Sequence, residues 1–277
     1  MSHDPSVREF EYTDQDFDVV RGLIYQAAGI RLADSKRQLV YSRIARRIRA
    51  LKLQRFRDYL QHLQANEHEL EEFINALTTN LTSFFREPHH FDYLRDYFLQ
   101  HHRPGKKFKV WCAAASTGEE PYTLAITAIE AFQGYTPPVE ITATDIDSQV
   151  LATADLGVYA EERIERMDAA RKKKFFLRGK GRQSGMVKVR PEVRALVEFD
   201  QLNLLGASWP LSPPYDAIFC RNVMIYFDKE TQLKILRRMM PMLHDEGIYV
   251  AGHSESFSEM SGLLKSLGRT IFKPAGR

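Results

Sequence analysis

The sequence predicts an α/β protein in which a small helical domain precedes a parallel, doubly wound sheet. Apolar residues recur at helical spacing through the first third of the chain. From residue 108 onward, short apolar runs alternate with helical stretches, which is typical of a parallel sheet. The 277 residues are enough for one large α/β domain and a small one.

The first third of the chain contains helical patterns and no run typical of a strand. The segments with helical spacing are 14–28, 35–57 and 67–79. Gly29 follows the first segment and is expected to end that helix. The polar run 101–107 contains a Pro-Gly pair and predicts the junction between two domains. We therefore expect a helical domain over residues 1–95 and a second domain over 96–277.

The second domain begins where the pattern changes to short apolar runs. The runs that predict strands are 108–115, 139–144, 217–220 and 248–251. The helical stretches between or after them are 120–133, 147–155 and 229–243. This alternation predicts a parallel sheet with helices packed against it. Apolar residues within 185–199 instead predict a local antiparallel hairpin, which we interpret as an insertion of about 172–200.

Composition excludes several classes of function. The two cysteines, Cys112 and Cys220, lie in apolar runs without metal-type spacing, and the nine histidines are scattered. We therefore expect buried free thiols and no metal site. No stretch approaches the roughly 18 apolar residues of a membrane span. The polar N-terminal segment lacks an apolar core, so we expect a cytoplasmic protein that is not embedded in a membrane.

The first candidate site follows the strand that begins at residue 108. Small residues at 113–115 let a ligand approach the backbone, at the edge where open α/β sheets bind ligands. Glu119 and Glu120 then suit a ligand with positive charge and disfavour a pyrophosphate. The alternative is a capping box, formed by Ser116 with Glu119 or by Thr117 with Glu120. The residues alone favour neither interpretation.

Two further runs end in polar residues that would lie at the same edge. Asp145 ends the second run, and a carboxylate there can accept both hydroxyls of a ribose. Asp147 is better placed to cap the next helix, although Asp145 could also be only a cap. Arg221 and Asn222 follow the third run. Tyr226 comes next in an apolar turn, where a tyrosine is usually a core residue unless a substrate partners its hydroxyl.

Six segments, taken together, resemble the chemoreceptor glutamate methyltransferases of the CheR family. They are NLTSFFREPHHF (80–91), WCAAASTGEEPYTLAI (111–126), ATDID (143–147), FDQLNLL (199–205), YDAIFCRNVMIYF (215–227) and GHSESF (252–257). The resemblance implies a Rossmann-like, S-adenosylmethionine-dependent methyltransferase sheet with an all-helical N-terminal domain and an inserted antiparallel β-subdomain. It also implies methyl transfer to glutamate carboxylates of bacterial chemoreceptors. The products would be glutamate methyl esters and S-adenosylhomocysteine, and the modification would tune receptor adaptation.

The resemblance implies which residues hold the cofactor. Glu120 would bind the amino end of S-adenosylmethionine, with the adjacent Glu119 as the alternative. Asp145 would accept the ribose hydroxyls. The remaining cofactor-binding residues would be Asn80, Thr82 and Arg86 in a linker that closes over the cofactor, Asn203 and Leu204 at the adenine, and Arg221 and Asn222.

Arg86 and Tyr226 would be the catalytic residues, because the resemblance places them beside the transferred methyl group. The reaction would be in-line attack of a glutamate carboxylate on the sulfonium methyl. A carboxylate is already a nucleophile at neutral pH, so no general base is required. Alignment of the two reactants in a site with little water is then the main contribution.

The charge pattern bears on the partner. The segment 35–57 holds nine Lys and Arg residues and no acid. Such a run is often a solvated helix face. Without an aromatic platform we expect no nucleic acid. The resemblance implies that the methylated segments of the receptor's cytoplasmic signalling domain are acidic helices, and we interpret the basic segment as steering them. In some family members the β-subdomain docks a receptor tail by edge-strand pairing, and the basic loop 178–185 could do so here. We expect a monomer.

Two alternatives remain at this point. The chain could be a methyltransferase for RNA or a small molecule, with the basic segment gripping RNA. It could also be a non-enzymatic module that binds S-adenosylmethionine or the receptor and regulates a partner. The residues alone reach only an α/β enzyme with a nucleoside-like ligand at the sheet edge, and the resemblance favours the protein-glutamate methyltransferase.

Overall fold

A computed structural model describes residues 9–276, so most of the polar N-terminal segment considered above lies outside the described residues. The chain forms two compact units. One holds the chain up to Thr79 together with Tyr226–Asp228, and the other holds Asn80–Ile225 and the chain from Lys229 onward. No helix of the described residues combines the length and the apolar character needed to cross a membrane.

The secondary structure comprises helices throughout and strands from residue 108. The helices are α1 (Asp14–Ala28), α2 (Arg37–Ala50), α3 (Phe56–Ala65), α4 (Glu67–Leu77), α5 (His89–His101), α6 (Glu119–Phe132), α7 (Ser148–Leu156), α8 (Ala169–Phe175), α9 (Pro191–Arg194) and α10 (Lys229–Met239). The strands are β1 (Phe108–Cys112), β2 (Val139–Asp145), β3 (Val158–Ala160), β4 (Phe176–Arg178), β5 (Met186–Val189), β6 (Val197–Gln201), β7 (Tyr215–Phe219), β8 (Leu243–Val250), β9 (Leu264–Gly268) and β10 (Ile271–Pro274).

The first unit is helical, as the sequence predicts. Helix α1 starts at a capping box between Thr13 and Asp16 and ends at Gly29, whose φ of 68° is left-handed. The prediction of one continuous helix over 35–57 is wrong. Helix α2 ends at Ala50, and the chain turns before α3 so that Phe56, 1% exposed, joins the core.

The second unit is built on a seven-stranded sheet with the order β6-β2-β1-β7-β8-β10-β9. The first five strands in this order run parallel, and the chain's last hairpin, β9 and β10, closes the sheet antiparallel. Helix α6 is buried along almost its whole length against this sheet. The prediction of a parallel, Rossmann-like sheet is therefore confirmed, and all the parallel strands point their carboxyl ends to one edge.

The predicted hairpin over 185–199 is wrong in its pairing. Strand β5 pairs antiparallel with β3 and β4 in a separate three-stranded sheet, whereas β6 joins the main sheet parallel to β2. The short helix α9, which begins at Pro191, separates β5 from β6. Val197 then pairs with Ile141 at the buried side of the main sheet. The inserted antiparallel β-subdomain exists, but it uses β3 from before the predicted insertion.

The boundary between the units lies at Thr79–Asn80, one helix earlier than the predicted boundary near residue 95. Helix α5 belongs to the second unit because its aromatic side chains pack against strands β1 and β7 of the main sheet. Phe91 stacks near Phe219, with ring centroids 5.9 Å apart, and Phe98 lies 5.0 Å from Phe108. The helical spacing of α5 resembles that of the earlier helices, so it does not reveal which core the helix joins.

Candidate active site

The carboxyl ends of β1, β2 and β7 meet because their registers align. Cys112, the last residue of β1, lies opposite Ala143 of β2 and Phe219 of β7. The segments that follow these strands therefore emerge side by side. They carry most of the polar residues that the sequence singles out.

Asp145 ends β2 and is 8% exposed. Its Oδ2 accepts the backbone N–H of Ser116 at 2.8 Å, and its Oδ1 accepts that of Asp147 at 3.0 Å. Burial raises the pKa of Asp145 to about 6, although these N–H donors act to lower it. Each carboxylate oxygen can accept a second hydrogen bond, so the group remains able to bind ligand hydroxyls.

Glu120 and Arg221 form a buried ion pair at the same edge. One guanidinium nitrogen of Arg221, Nη1, lies 2.6 Å from Oε2 of Glu120, and the thiol of Cys112 donates to Oε1 at 3.3 Å. The other, Nη2, donates to the carbonyl of Arg86 at 2.5 Å and lies 3.3 Å from Oε2 of Glu87. The Arg221 side chain has no exposed surface. It therefore joins the linker to the strand ends.

Two carboxylates face the single guanidinium of Arg221. Burial alone would raise the pKa of Glu87, but the charge of Arg221 and the N–H of His253 hold it below its ordinary value. Burial and the charge of Arg221 lower the pKa of His90 to about 4, so this neighbouring histidine is neutral at pH 7. The cluster thus carries one more negative than positive charge. It favours a cationic ligand.

Glu119 faces away from this cluster. Its side chain has no exposed surface, pairs with the guanidinium of Arg163, and accepts the Thr117 hydroxyl at 2.6 Å. Arg163 also donates to the carbonyl of Thr82 at 3.2 Å. The capping-box alternative is wrong, because the N-cap of α6 is Gly118, with φ 95° and no side-chain cap. This arrangement favours Glu120 over Glu119 as the acid that meets a ligand.

The linker before α5 is held in an uncommon backbone conformation. Arg86 donates from Nη1 to the carbonyl of Leu81 at 2.8 Å and is flanked by two residues with positive φ, Phe85 at 52° and Glu87 at 59°. Ser116 and Asn222 also have positive φ, at 48° and 58°. Half of the eight non-glycine residues with positive φ among residues 9–276 therefore lie in the site segments. Such conformations concentrate at functional sites.

The structure joins the other predicted site residues less directly. Nδ2 of Asn80 donates to Asp147 at 2.8 Å, and the Ser116 hydroxyl donates to the carbonyl of Asn80 at 3.1 Å. Asp147 caps α7 by accepting two backbone N–H groups, as predicted. Asn203 and the 7% exposed Leu204 follow β6, which pairs with β2 up to Asp145.

Tyr226 ends the 3₁₀ turn Met224–Tyr226 and belongs to the helical unit, where its carbonyl accepts the N–H of Arg31 at 2.9 Å.

Sequence reasoning missed three charged residues of this region. Glu87 contacts Arg221, and Arg163 contacts both Glu119 and the carbonyl of Thr82. Glu255 accepts backbone N–H groups from the loop after β7. Their partners lie far away along the chain, so no local spacing reveals them. Only the match to GHSESF pointed at the segment that holds Glu255.

The donor set fits S-adenosylmethionine. The excess negative charge around Glu120 suits its amino and sulfonium charges, and the free lone pairs of Asp145 suit two adjacent hydroxyls. Ala113 and Ala115 lie beside both groups, and their small side chains occupy little space at this edge. The small and acidic character of this edge therefore suits the charged groups and the ribose of the cofactor.

Comparison with known proteins gives the family. Residues 80–272 match the family model described as the CheR methyltransferase, SAM binding domain, and residues 15–78 match its all-alpha domain. Chemotaxis protein methyltransferase 2 of Pseudomonas aeruginosa is 54% identical over 97% of this chain and 96% of its own length. The chemotaxis protein methyltransferases of Klebsiella aerogenes and Escherichia coli are 49% and 45% identical over 94% of this chain. The matched regions span 89% and 91% of those two proteins. The chain therefore belongs to the CheR family of S-adenosylmethionine-dependent methyltransferases.

Proposed function

We propose that this chain transfers a methyl group from S-adenosylmethionine to glutamate carboxylates of bacterial chemoreceptors, giving glutamate methyl esters and S-adenosylhomocysteine. The observation that carries the proposal is the buried cluster in which Arg221 joins Glu120 to the carbonyl of Arg86. It links an acid suited to a cationic cofactor with the residue assigned to the acceptor carboxylate. No observation favours an RNA or small-molecule substrate.

In the bound state, Glu120 would accept the amino group of the cofactor and Asp145 its ribose hydroxyls. Asn203 and Leu204 would line the adenine, since they follow the strand that pairs with β2. The residues that would complete the pocket are Asn80, Thr82, Arg86, Arg221 and Asn222. When bound, S-adenosylmethionine supplies an electrophilic methyl group on its sulfonium.

Arg86 and Tyr226 would act on the acceptor. The guanidinium of Arg86 holds the glutamate carboxylate by charge, and the hydroxyl of Tyr226 donates a hydrogen bond to it. Neither takes a proton, because the carboxylate attacks in its ionised form. Their contribution is alignment, for which effective molarity can supply about 7–11 kcal/mol.

Replacing Tyr226 by phenylalanine is expected to lower kcat about tenfold or more while leaving cofactor affinity nearly unchanged, because only the acceptor loses a hydrogen bond. Calorimetry with S-adenosylhomocysteine and initial rates on receptor would measure the two effects separately. Leu70→Ala, in α4 and 36% exposed, is a control within the same helical unit. An equal loss of cofactor affinity would contradict this role for Tyr226.

Several basic side chains of the segment 35–57 are already bound to other groups of the protein. Arg47 pairs with Glu69 at 2.7 Å and with Glu72 at 2.7 Å, and the Glu69 side chain is only 4% exposed. Arg43 donates to the carbonyls of Ala76 and Thr78. Apart from Arg43, which is held by these carbonyls, the basic residues without an ion pair to described residues are Lys36, Arg46, Lys52 and Arg57. We propose that these four steer acidic receptor helices.

Reversing Arg46 to glutamate is expected to lower kcat/KM for receptor about tenfold and to flatten its salt dependence, because long-range attraction is lost. Cofactor affinity should not change. Lys265→Glu, an exposed reversal on β9, serves as the matched control. Normal receptor kinetics at low salt would remove the basic segment from substrate recognition. Arg47 is unsuited to this test, because its reversal would leave Glu69 buried beside a like charge.

The remaining proposals concern the setting of the reaction. We place the protein in the cytoplasm as a monomer, with a receptor tail adding to an edge strand of the three-stranded sheet. Both β3 and β4 are edge strands there. Arg178 ends β4, and the loop that follows carries Lys180 and Arg182.

Incubation with labelled S-adenosylmethionine and receptor-bearing membranes tests the function. Base-labile label on a receptor glutamate is expected, whereas label on RNA or on small molecules alone would overturn the proposal. A receptor lacking its C-terminal tail, assayed in parallel, tests the docking step.

A further inference from the structure

The loop between β7 and the turn Met224–Tyr226 has a demanding backbone. Asn222 adopts φ 58°, and the N–H groups of Asn222, Val223 and Met224 each donate to a side chain. Buried N–H groups need acceptors. This loop also carries Arg221 and leads directly into Tyr226, so its conformation sets the direction of site residues.

One side chain from another part of the chain supplies the acceptors. Oε1 of Glu255 accepts the N–H of Val223 at 3.0 Å and that of Met224 at 2.8 Å. Oε2 accepts the N–H of Asn222 at 3.1 Å and that of Gly252 at 2.5 Å. Glu255 is 6% exposed. Four backbone donors from two loops therefore converge on a single carboxylate.

Steric fit between the two loops is equally close. A Cβ added at Gly252 would lie 2.2 Å from Nδ2 and 2.8 Å from the backbone nitrogen of Asn222. The two loops follow adjacent parallel strands, β7 and β8. The backbone N–H of Cys220 donates to the carbonyl of Val250 at 2.9 Å just before the two loops diverge. Glycine at 252 thus allows the contact through which Glu255 reaches the loop after β7.

The carboxylate is held by neutral donors only. Within residues 9–276, Glu255 has no basic partner at salt-bridge distance. Burial raises the pKa of Glu255, and the four N–H groups act against this rise. A buried, unpaired carboxylate is a costly acceptor where a neutral group of the same size would otherwise serve. A carboxylate at this position can accept all four hydrogen bonds at once, which a neutral amide of the same size cannot do.

We propose that Glu255 is a positioning residue for methyl transfer, which fixes the segment 222–224 that leads into Tyr226, without touching the cofactor or the acceptor. This inference rests on the proposed function, because it assumes that Asn222 faces the cofactor and that Tyr226 faces the acceptor. Charge-assisted hydrogen bonds to the backbone are strong and directional, so they suit a role in alignment. Displacement of a site by about 1 Å can cost about 100-fold in rate.

The test replaces Glu255 by glutamine, which has nearly the same shape but only one acceptor oxygen. Two of the four N–H groups would then face an amide NH₂, so the loop must shift. We expect kcat for receptor methylation to fall about 10–100-fold. We also expect the Kd of S-adenosylhomocysteine, measured by calorimetry, to rise about tenfold at unchanged binding stoichiometry.

Stoichiometry separates positioning from folding. If Glu255 only supported the fold, the folded fraction of Glu255→Gln would bind with the wild-type Kd at reduced stoichiometry. Glu255→Asp keeps both oxygens on a shorter arm and is expected to recover part of kcat. Glu259→Gln, an exposed change four residues away, is the matched control. Wild-type kcat and Kd in Glu255→Gln would overturn the proposal, whereas a wild type inactive on receptor would refute the proposed function instead.

Hydrogen exchange of the wild type keeps the proposal testable should both variants misfold. The amides of Asn222, Val223 and Met224 lie in a loop, yet each donates to Glu255, so we expect slow exchange comparable to that of the adjacent β7. Exchange as fast as that of the exposed loop before β7 would contradict the proposal, because the carboxylate would then not hold the loop.

Discussion

Replacing Arg221 by alanine is expected to lower the free energy of unfolding by about 3–5 kcal/mol, because it leaves buried carboxylates without their cation. Glu120 and Glu87 both pair with this guanidinium, which has no exposed side-chain surface. The variant also loses the hydrogen bond to the Arg86 carbonyl and the packing of the guanidinium over the Phe91 ring at 5.4 Å. Urea unfolding monitored by circular dichroism would measure the loss.

Two comparison variants make this expectation specific. Arg95→Ala also removes an arginine with two acidic partners, Asp92 and Asp96, but that side chain is 44% exposed, so a loss below about 1 kcal/mol is expected. Arg221→Lys keeps the charge but cannot span both carboxylates in a fork, so an intermediate loss is expected. A stability loss at Arg221→Ala no larger than that at Arg95→Ala would show that the cluster is solvated.

Replacing Asp145 by asparagine is expected to weaken cofactor binding about 100-fold, since a charged acceptor of two hydroxyls contributes roughly 3 kcal/mol. The stability of the ligand-free protein should stay within about 1 kcal/mol of the wild type at pH 7. The variant gains stability because a buried charge is removed. It loses a similar amount because the N–H of Ser116 or of Asp147 would then face an amide NH₂ and lose its acceptor. Calorimetry and urea unfolding would measure the two quantities.

The pH dependence follows from the same carboxyl group. Burial raises the pKa of Asp145 to about 6, above its unfolded value near 3.8. Its contribution to stability is therefore fully present below about pH 3.8 and is lost as the pH rises through about 6. Cofactor affinity runs the other way, because only the ionised form accepts two hydroxyls. Wild-type affinity should fall from pH 7 to pH 5.

The Asp145→Asn variant has no ionisation at this position, so its affinity should change less over that range. Glu140→Gln, on the same strand but exposed and paired with Lys107, is the control and should behave as the wild type. If the wild type and Asp145→Asn showed the same pH dependence of affinity, another group would have to be responsible.

The parallel sheet could be predicted because each strand is a buried apolar run that ends in a distinctive residue. Asp145 and Arg221 follow such runs, and parallel topology alone brings their strand ends to one edge. Helix α1 could be predicted because Gly29 gives a clear stop signal. In both cases, the information lies within a few residues of the feature itself.

The sequence predictions that were wrong concern features decided by contacts far away along the chain. Strand β6 has the length and composition of a hairpin partner for β5, and only the buried position beside Ile141 decides that it joins the main sheet. The turn after α2 depends on the burial of Phe56, which the uniform basic pattern of the segment hides. Glu119 and Glu120 look alike in sequence, and Arg163, 44 residues away, separates their environments.

The bond between Arg163 and Glu119 bears on how the enzyme could be re-engineered. Arg163 lies directly after β3, and the neighbouring Tyr159 donates its hydroxyl to the carbonyl of Thr117 at 2.7 Å. Excision of the β-subdomain would thus strip a fully enclosed acid of its cation and loosen the turn that starts α6. Tyr159 belongs to β3, but Arg163 lies outside the three strands. A chimera that exchanges this subdomain between relatives would have to carry Arg163 along with it, so the unit of exchange is larger than the three strands.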